Sequence, residues 1–443
     1  MILSVIAATP PIWLVIPFVS LLVMIATGPV LFADFWHHHY KKISIVLGLL
    51  VGGYYLSFLH NSFMPIETLF EYFSFISILT ILYVASGGIY IFLDIESKPI
   101  SNILFLAFAA LVTNFIGTTG ASVLLIRPFM RLNRYRLKPY HIVFFIFIVS
   151  NVGGSLTPIG DPPLFMGFLK GVPFHWTITH IWKHWLLAIS FLLAIFYLFE
   201  RKNSELDEVD SNVRYTNKII ISGKRNLFWL FLAVVSVFLD PNIIDGIPYI
   251  DLHGKKISYL REFIQLSAAA LCFYFSNAKA LKSNSFDFEP IKEVAFLFFG
   301  IFLCMMPALQ LLEYFAQNQG ASLTLNPSLI YWSSGIFSSV LDNAPTYLNV
   351  FTLLMSKASL SISEIQDVKD FVASPNFTQL IALSVGSVFF GAMTYIGNGP
   401  NFMVKAIAEH NGVKMPSFGK YISKFSLPIL LPVLILIWLV FFI

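Results

Sequence analysis

Long apolar runs alternate with short polar stretches along most of this chain. Ten of the runs are candidates for helices that cross a lipid bilayer, which takes roughly 20 mostly apolar residues. The first run is too long for a typical cleaved signal peptide, so it is counted as a span. The predicted spans cover residues 13–32, 43–59, 69–93, 142–169, 185–199, 226–239, 263–275, 294–315, 380–408 and 425–443. The pattern predicts an all-α polytopic membrane protein with about ten transmembrane helices.

Two further apolar segments are interrupted in the middle by polar residues. The first, 101–130, is broken over 113–120, and the second, 328–356, is broken over 338–346. The apolar arms on either side of each break are too short to cross a bilayer alone. We therefore expect two re-entrant hairpins whose tips stop near the middle of the membrane, where irregular backbone is tolerated only inside protein or along a cavity.

The basic residues predict how the chain is oriented. The densest basic cluster follows the first hairpin and consists of Arg127, Arg131, Arg134, Arg136 and Lys138. Short loops rich in lysine and arginine stay in the cytoplasm, so this loop is predicted to be cytoplasmic. Counting spans in both directions from that loop puts the amino terminus and the carboxyl terminus outside. The same count makes the first hairpin enter from the cytoplasm and the second from the outside.

Hairpins that enter from opposite sides define an inverted-topology repeat. The predicted first repeat covers 1–199 and the predicted second repeat covers 226–443. Residues 200–225, rich in charges of both signs, join them as a cytoplasmic linker. We expect this linker to be solvated rather than to form a functional domain of its own.

Composition agrees with a membrane protein and excludes several other classes. Of 443 residues, 57% are hydrophobic and 12% are charged, whereas about 25% of residues in soluble domains are charged. The net charge is only +4 and the basic residues lie in short loops, which argues against nucleic-acid binding. Cys272 and Cys304 both lie in apolar runs, so no disulfide framework or cysteine-rich metal site is expected.

A glycine- and proline-rich cluster interrupts an apolar helix after each hairpin. The clusters at 150–163 and 391–401 both contain Thr-x-Ile-Gly followed by Asp or Asn. Proline and glycine unwind the helix here, and the freed carbonyl groups and helix ends suit a cation or an anion. Together with the hairpins, these broken helices predict two pseudo-symmetric ion or substrate sites at the midplane. For any single small residue, close packing of helices is an equal explanation.

Two carboxylates lie within the interrupted segments, Asp161 and Asp342. A charged aspartate in the middle of a transmembrane helix costs about 2.5 to 3.5 kcal/mol on insertion scales, so both need an explanation. Each could cap a half-helix, or each could bind a proton and a cation in competition. Such competition, combined with alternating access, is sufficient for exchange transport.

The other candidate ligands are neutral oxygen-bearing side chains, which suit a hard cation such as sodium. The neutral candidates are Asn114, Thr118, Asn151, Thr157, Asn343, Thr346, Thr394, Asn398 and Asn401. Sodium is predicted at two groups of residues, one formed by Asn114, Asn151 and Asp161 and the other by Asp342, Asn343 and Asn398.

The motifs also carry a family resemblance. The run at 151–161, Asn-Val-Gly-Gly-Ser-Leu-Thr-Pro-Ile-Gly-Asp, resembles the broken-helix motif of NhaD-type sodium/proton antiporters. The run at 342–345, Asp-Asn-Ala-Pro, resembles their second-hairpin motif. The order of elements is similar to the ion transporter superfamily, which also holds citrate carriers of the CitMHS-like type, dicarboxylate carriers and arsenite carriers. The resemblance implies a secondary transporter in the inner (plasma) membrane of a bacterium.

The chain departs from the families it resembles in two places. At 162–164, Pro-Pro-Leu stands where the antiporters have a run of threonines, and neither hairpin has the Ser-Asn-Thr triplet of sodium-coupled dicarboxylate carriers. The second departure counts against a dicarboxylate as substrate.

The leading hypothesis from the sequence is a sodium/proton antiporter with Asp161 and Asp342 as the exchanging groups. Its alternative is a sodium- or proton-coupled transporter of citrate, another carboxylate or another anion. The polar clusters of these four segments, at 113–120, 150–163, 338–346 and 391–401, contain no lysine or arginine, which favours the antiporter.

A hypothesis of another class is an intramembrane aspartyl protease. Sequences that resemble such proteases have a Tyr-Asp motif and a Gly-x-Gly-Asp motif. Leu341 precedes Asp342 and Pro158 takes the first glycine position before Asp161, so we expect no enzyme activity. The expected partners are the lipid bilayer and small ions or a small organic anion. No cofactor is expected beyond transported Na⁺ and H⁺, and a homodimer is left open.

Overall fold

Helices dominate the computed structural model, which describes residues 9–206, 215–244, 246–252, 255–318 and 325–443. The helices of the first part are α1 (Ile16–Leu31), α2 (Ala33–Ser57), α3 (Phe63–Gly87), α4 (Pro99–Leu132), α5 (Pro139–Ile148), α6 (Pro162–Leu169) and α7 (Trp176–Leu206). The next helices are α8 (Arg225–Val237), α9 (Leu260–Phe275), α10 (Ala278–Ser283), α11 (Glu289–Asn318), α12 (Pro327–Val340) and α13 (Asn343–Lys357). The last are α14 (Ile365–Ala373), α15 (Phe377–Phe390), α16 (Gly399–His410), α17 (Phe418–Tyr421) and α18 (Leu431–Phe441), with a π-helical stretch at Ile422–Leu430.

The described residues also contain 3-10 helices at Ile12–Val15, Val152–Leu156 and Gly391–Met393, and two short antiparallel sheets. The strands are β1 (Tyr90–Asp94), β2 (Lys218–Ser222), β3 (Tyr249–Leu252) and β4 (Lys255–Ser258). Strand β1 pairs with β2, and β3 pairs with β4.

Seven helical segments of the described residues are long and apolar enough to cross a membrane, and an eighth is obtained if the bent pair α14 and α15 counts as one. One of the seven is Pro99–Leu132, which was predicted as the first hairpin, so at most seven of the ten predicted spans are matched. Helix α2, which contains the predicted span 43–59, is not among the seven. Helices α8 and α9 have 13 and 16 residues, short of the roughly 20 that a crossing needs. The predicted span 142–169 is divided between α5 and α6 by the break that its own glycines and prolines predicted.

The end of the third predicted span and the predicted linker differ from expectation. Helix α3 ends at Gly87, and Tyr90–Asp94 forms β1 instead of continuing the span. Its partner β2 lies in the linker 200–225, with Tyr90 opposite Ser222 and Asp94 opposite Lys218. Paired glycines stop the helix here, and aromatic and β-branched residues favour a strand after it. The linker is therefore partly structured, while its acidic stretch at 207–210 lies outside the described residues.

Helix α4 folds back on itself at the place where the sequence predicted the first hairpin. Gly117 has φ 74° and ψ 158°, a conformation open to glycine. Near the two ends, Asn102 and Asn133 exchange hydrogen bonds of 2.7 and 2.8 Å, and the rings of Phe105 and Phe129 stack at 5.2 Å. A straight helix of 34 residues would hold its ends about 50 Å apart. The segment is thus two antiparallel arms joined at Gly117.

The second interrupted segment forms helices α12 and α13, which contact each other and are separated by Leu341 and Asp342. The two broken helices have the same layout. A helix (α5 or α15) leads into a short 3-10 turn, an extended stretch follows, and a half-helix (α6 or α16) begins with a proline in its first turn.

A buried polar network joins the base of the α4 hairpin to α7. Glu200, predicted to start a solvated linker, is fully buried. It accepts hydrogen bonds from Asn102 Nδ2 at 2.7 Å and Arg136 Nη2 at 3.0 Å, as well as from the Tyr140 hydroxyl. His141 Nε2 lies 2.7 Å from its Oε1. The linker prediction is wrong for this residue, because its charge is satisfied inside the protein.

The core lies around the broken elements, and the outer helices present apolar side chains outward. Every residue of α5 from His141 to Ile148 is buried, as are all of α15 from Leu380 to Phe390. On the outer helices α2 and α9, Leu50 and Phe263 are more than three-fifths exposed. An apolar exterior around a partly polar centre is the arrangement that lipid favours.

Candidate functional site

All four interrupted segments meet at the carboxylate of Asp161, which is 1% exposed. Its Oδ1 accepts hydrogen bonds from Thr118 Oγ1 at 2.8 Å and from Asn398 Nδ2 at 3.0 Å. Its Oδ2 accepts one from Asn343 Nδ2 at 2.7 Å. One donor comes from the α4 hairpin, one from the start of α13 and one from the second broken helix. Four sequence-predicted residues thus form a single cluster.

Each member of this cluster stands at the beginning of a helical arm. Thr118 follows the turn at Gly117, and Asn343 is the first residue of α13. Asp161 and Asn398 immediately precede α6 and α16. The first N–H groups of a helix have no partner within the helix, and the dipole makes this end positive. Four positive helix ends around one carboxylate stabilise its buried negative charge, and no lysine or arginine among the described residues forms an ion pair with it.

Asn114 and Thr157 fasten the first hairpin to the first unwound segment. Asn114 Nδ2 donates to the Gly153 carbonyl oxygen at 2.7 Å, and its Oδ1 accepts the Leu156 N–H at 2.8 Å. Thr157 Oγ1 donates to the Asn114 carbonyl oxygen at 2.6 Å. These bonds satisfy the backbone that the break exposes. In this conformation the side-chain oxygen of Asn114 already accepts the Leu156 N–H. A sodium-ligating role for Asn114 stays a prediction.

Asn151 and Asn401 join the two broken helices to each other. Asn151 Nδ2 donates to Asn401 Oδ1 at 2.7 Å, while its Oδ1 accepts from Asn398 Nδ2 at 3.2 Å. Asn401 Nδ2 in turn donates to the Gly391 carbonyl oxygen at 2.8 Å. The three asparagines are buried, so this amide chain links the Asp161 cluster directly to the second unwound segment.

The second half repeats the fastening seen in the first, with different side chains. Thr394 Oγ1 donates to the Ser339 carbonyl oxygen at 2.6 Å, as Thr157 does to Asn114. Asp342 accepts the Ala344 N–H at 3.1 Å and caps α13. Thr346 Oγ1 donates to the Asp342 carbonyl oxygen at 3.0 Å. The capping explanation of Asp342 therefore has direct geometric support, and its role in ion exchange stays a prediction.

A small cavity lies beside Asp161, with a volume of about 20 Å³. Gly117, Thr118, Gly160 and Phe165 are among the residues that line it. That volume holds about one water molecule, so in this conformation the cavity suits a small ion and is too small for a tricarboxylate. The adjacent Asn343 Oδ1 is buried and has no hydrogen-bond donor among the described residues. This oxygen can accept a cation, or a hydrogen bond from the hydroxyl of a protonated carboxyl group.

Several residues that shape the site were missed by sequence reasoning. The Gly160 carbonyl oxygen accepts the Thr118 N–H at 2.8 Å, and a Cβ on Gly160 would overlap the Gly154 carbonyl. The hydroxyls of Ser122 and Ser150 lie 2.8 Å apart, tying the second arm of the hairpin to the unwound segment. The glycines of the motif could have indicated that Gly154 and Gly160 approach each other closely. Nothing in the sequence around Ser122 indicates its contact with Ser150.

Helices interrupted in pairs around a buried ionisable group are the architecture of a secondary membrane transporter. Residues 7–442 match the family model CitMHS_2, described as "Putative citrate transport", and the chain belongs to this family. The match confirms the resemblance to CitMHS-like members of the ion transporter superfamily. The protein is accordingly a multi-pass integral membrane protein, and its family is one of transporters rather than enzymes.

Two curated relatives are named only as uncharacterized transporters, one from Mycobacterium bovis and one from Mycobacterium tuberculosis. Each is 22% identical to this chain over 340 residues, which cover 74% of this chain and 74% of the relative. The similarity therefore extends over most of both proteins.

Proposed function

We propose that this protein is a secondary active transporter that carries citrate or a similar carboxylate across the membrane, coupled to Na⁺ or H⁺ bound at Asp161. The observation that carries the proposal is the convergence of all four interrupted segments on this buried carboxylate. The family description supports a carboxylate substrate over simple cation exchange as the main activity.

Coupling follows from electrostatic repulsion at the site. Two like unit charges 4 Å apart repel by about 4 kcal/mol at the effective dielectric of a protein near its surface. The polar clusters of the four interrupted segments, at 113–120, 150–163, 338–346 and 391–401, contain no lysine or arginine to offset an anionic substrate. A carboxylate substrate is therefore excluded while Asp161 is ionised, and it is admitted to the positive helix ends once a proton or a sodium ion neutralises Asp161.

The amide groups of Asn343 and Asn398 allow the same site to hold either charge state. In this conformation both donate N–H groups to Asp161. An amide also has a carbonyl oxygen, and a half-turn of the side chain would present that oxygen to a cation. The buried Asn343 Oδ1, which accepts no hydrogen bond from the described residues, is one such ligand. Together with Asp161, these oxygens form the set that a hard cation prefers.

The proposed transport cycle uses an inverted repeat of 1–199 and 226–443 joined by 200–225. Two correspondences support it: Thr118 and Asn343 each follow a hairpin tip, and Asp161 and Asn398 each precede a half-helix. We propose that the hairpins enter from opposite sides, that the breaks lie at the midplane, and that one repeat rocks against the other. A bacterial inner membrane with both termini outside is part of the same proposal.

Transport in proteoliposomes tests the proposal. Citrate uptake should be accelerated by an inward gradient of Na⁺ or of H⁺. In Asp161→Asn the amide stays neutral throughout, so citrate should still equilibrate down its own gradient while the acceleration disappears. Asp370→Asn is the matched control, because Asp370 is exposed on α14 and bonds only Gln366 of its own helix in the described structure. Full gradient dependence in Asp161→Asn would refute the assignment of Asp161.

A sodium/proton antiporter is the second candidate function. The small cavity beside Asp161 favours it, since about 20 Å³ accommodates an ion but no organic substrate. In vesicles loaded with a pH-sensitive dye and free of citrate, an antiporter would dissipate a proton gradient when Na⁺ is added. The carboxylate transporter would respond only when citrate is also present.

A further inference from the structure

A group of lysine and arginine side chains surrounds the start of α8, away from the Asp161 site. Lys224 and Arg225 lie at the start of α8, and Lys279 and Lys282 lie on α10. All four are exposed, and within the described ranges of the chain none of them forms an ion pair with an acidic side chain.

An open cleft of about 350 Å³ lies between the start of α8 and the end of α9. Its lining residues are Gly223, Lys224, Arg225, Asn226, Phe275 and Asn277. The Arg225 guanidinium lies 5.9 Å from the centre of the Phe275 ring. This cation–π contact connects the α8 wall of the cleft to its α9 wall. The cleft therefore combines two positive charges that form no ion pair with the described residues, polar amides and an aromatic wall.

The cleft stands at the level where a lipid headgroup would be expected. One turn into α8, Phe228 and Phe231 are 59% and 66% exposed, and Tyr274 on α9 is 80% exposed. Apolar and aromatic residues exposed directly beside lysine and arginine mark the border between the hydrocarbon and the headgroups. The two cations thus lie just beyond the apolar surface.

Contacts put the cleft on the same side of the protein as the basic loop after the first hairpin. Asn226 Nδ2 donates to the Ala85 carbonyl oxygen near the end of α3 at 3.1 Å. Strand β1 follows directly, and Arg131 of the basic loop lies over its Tyr90 and Phe92 rings. The positive-inside rule makes this the cytoplasmic side, whose leaflet is rich in anionic lipid.

We propose that the cleft formed by Lys224, Arg225 and Phe275 binds the phosphate headgroup of an anionic phospholipid. The two cations contact the phosphate, and the acyl chains follow the exposed phenylalanines of α8. Lys279 and Lys282 add to the attraction from the neighbouring helix. A basic residue near an anionic surface contributes roughly a fivefold preference, so the pair in the cleft should contribute more than about tenfold.

Lipid retention by the full-length purified protein tests the proposal. The protein is incubated in detergent with phosphatidylglycerol or phosphatidylcholine, washed, and the lipid that stays bound is quantified by mass spectrometry. We expect phosphatidylglycerol to be retained and to raise the thermal unfolding midpoint, with no such effect of phosphatidylcholine. The double variant Lys224→Gln/Arg225→Gln should retain at least about tenfold less phosphatidylglycerol.

The control is Lys420→Gln/Lys424→Gln, which removes the same charge from exposed positions outside the cleft. Equal losses in both double variants would overturn the proposal, as would equal retention of the two lipids. Soluble glycerol phosphate that reproduces the stabilisation would also overturn it, because the site would then recognise free phosphate. If Lys224→Gln/Arg225→Gln fails to fold, Lys279→Gln/Lys282→Gln on exposed α10 gives the second measurement, with an expected partial loss.

Discussion

Replacing Glu200 with glutamine should destabilise the protein far more than the loss of an exposed carboxylate. The substitution would keep the size of the side chain, but it would leave the Arg136 guanidinium buried without its negative partner. The side chains of Glu200 and Arg136 are 0% and 4% exposed, so water cannot replace the lost charge. Breaking such a buried pair from one side costs about 3 to 5 kcal/mol.

The free energy of unfolding, from denaturant titration of the purified protein in mixed micelles, measures the loss. Glu409→Gln is the matched control, because Glu409 pairs with Lys405 at 2.7 Å one turn away on the surface of α16. Exposed pairs of this kind contribute about 0.2 to 1 kcal/mol. Equal losses in Glu200→Gln and Glu409→Gln would refute the reasoning.

A second variant separates the unpaired charge from other effects of the substitution. The double change Glu200→Leu/Arg136→Met removes both charges, and apolar replacement of a whole buried pair is often neutral or stabilising. It should therefore be more stable than Glu200→Gln alone. A double variant at least as unstable as the single one would mean that hydrogen bonds to Tyr140 and Asn102, rather than the buried charge, dominate.

Three further predictions concern the interrupted segments. Gly160→Ala should abolish transport, because the added Cβ would overlap a backbone carbonyl of the same unwound segment. The control Gly399→Ala, whose Cβ meets open space, should transport normally. Equal transport activity in the two variants would contradict this prediction. Asn151→Ala should lower the free energy of unfolding by about 1 to 3 kcal/mol by leaving buried amides unpaired, and an unchanged value would contradict it. Cysteines introduced at Ile116 and Ala344 should react with impermeant reagents from opposite sides of the membrane, and labelling of both from one side would break the inverted repeat.

The sequence predicts the interrupted segments well because their cause is local. Glycine, proline and polar residues within an apolar run stop a helix wherever it packs. Gly117 and the Thr-x-Ile-Gly motifs marked the breaks for this reason. Candidate residues were also concentrated there, and four of them, including Asp161, form one cluster.

What the sequence could not supply depends on contacts between distant parts of the chain. Asn343 bonds Asp161 across 182 positions, which no local pattern indicates. Strand β1 was hidden because Tyr90–Asp94 extends an apolar run, and only its pairing with β2 reveals it. Glu200 looked solvated because its four partners come from other segments.

The pairing of Asp161 with Asn398 has a consequence for the history of the protein. If the two halves descend from one duplicated gene, an identical copy would have placed a second carboxylate 3.0 Å from the first, at the Asn398 position. Two carboxylates at that distance cannot both ionise, so one would have stayed protonated. An amide at one of the two positions removes this conflict: Asp161 carries the charge, and Asn398 donates a hydrogen bond to it. Under the proposed transport cycle, the pair therefore has only one negative charge to neutralise in each turnover.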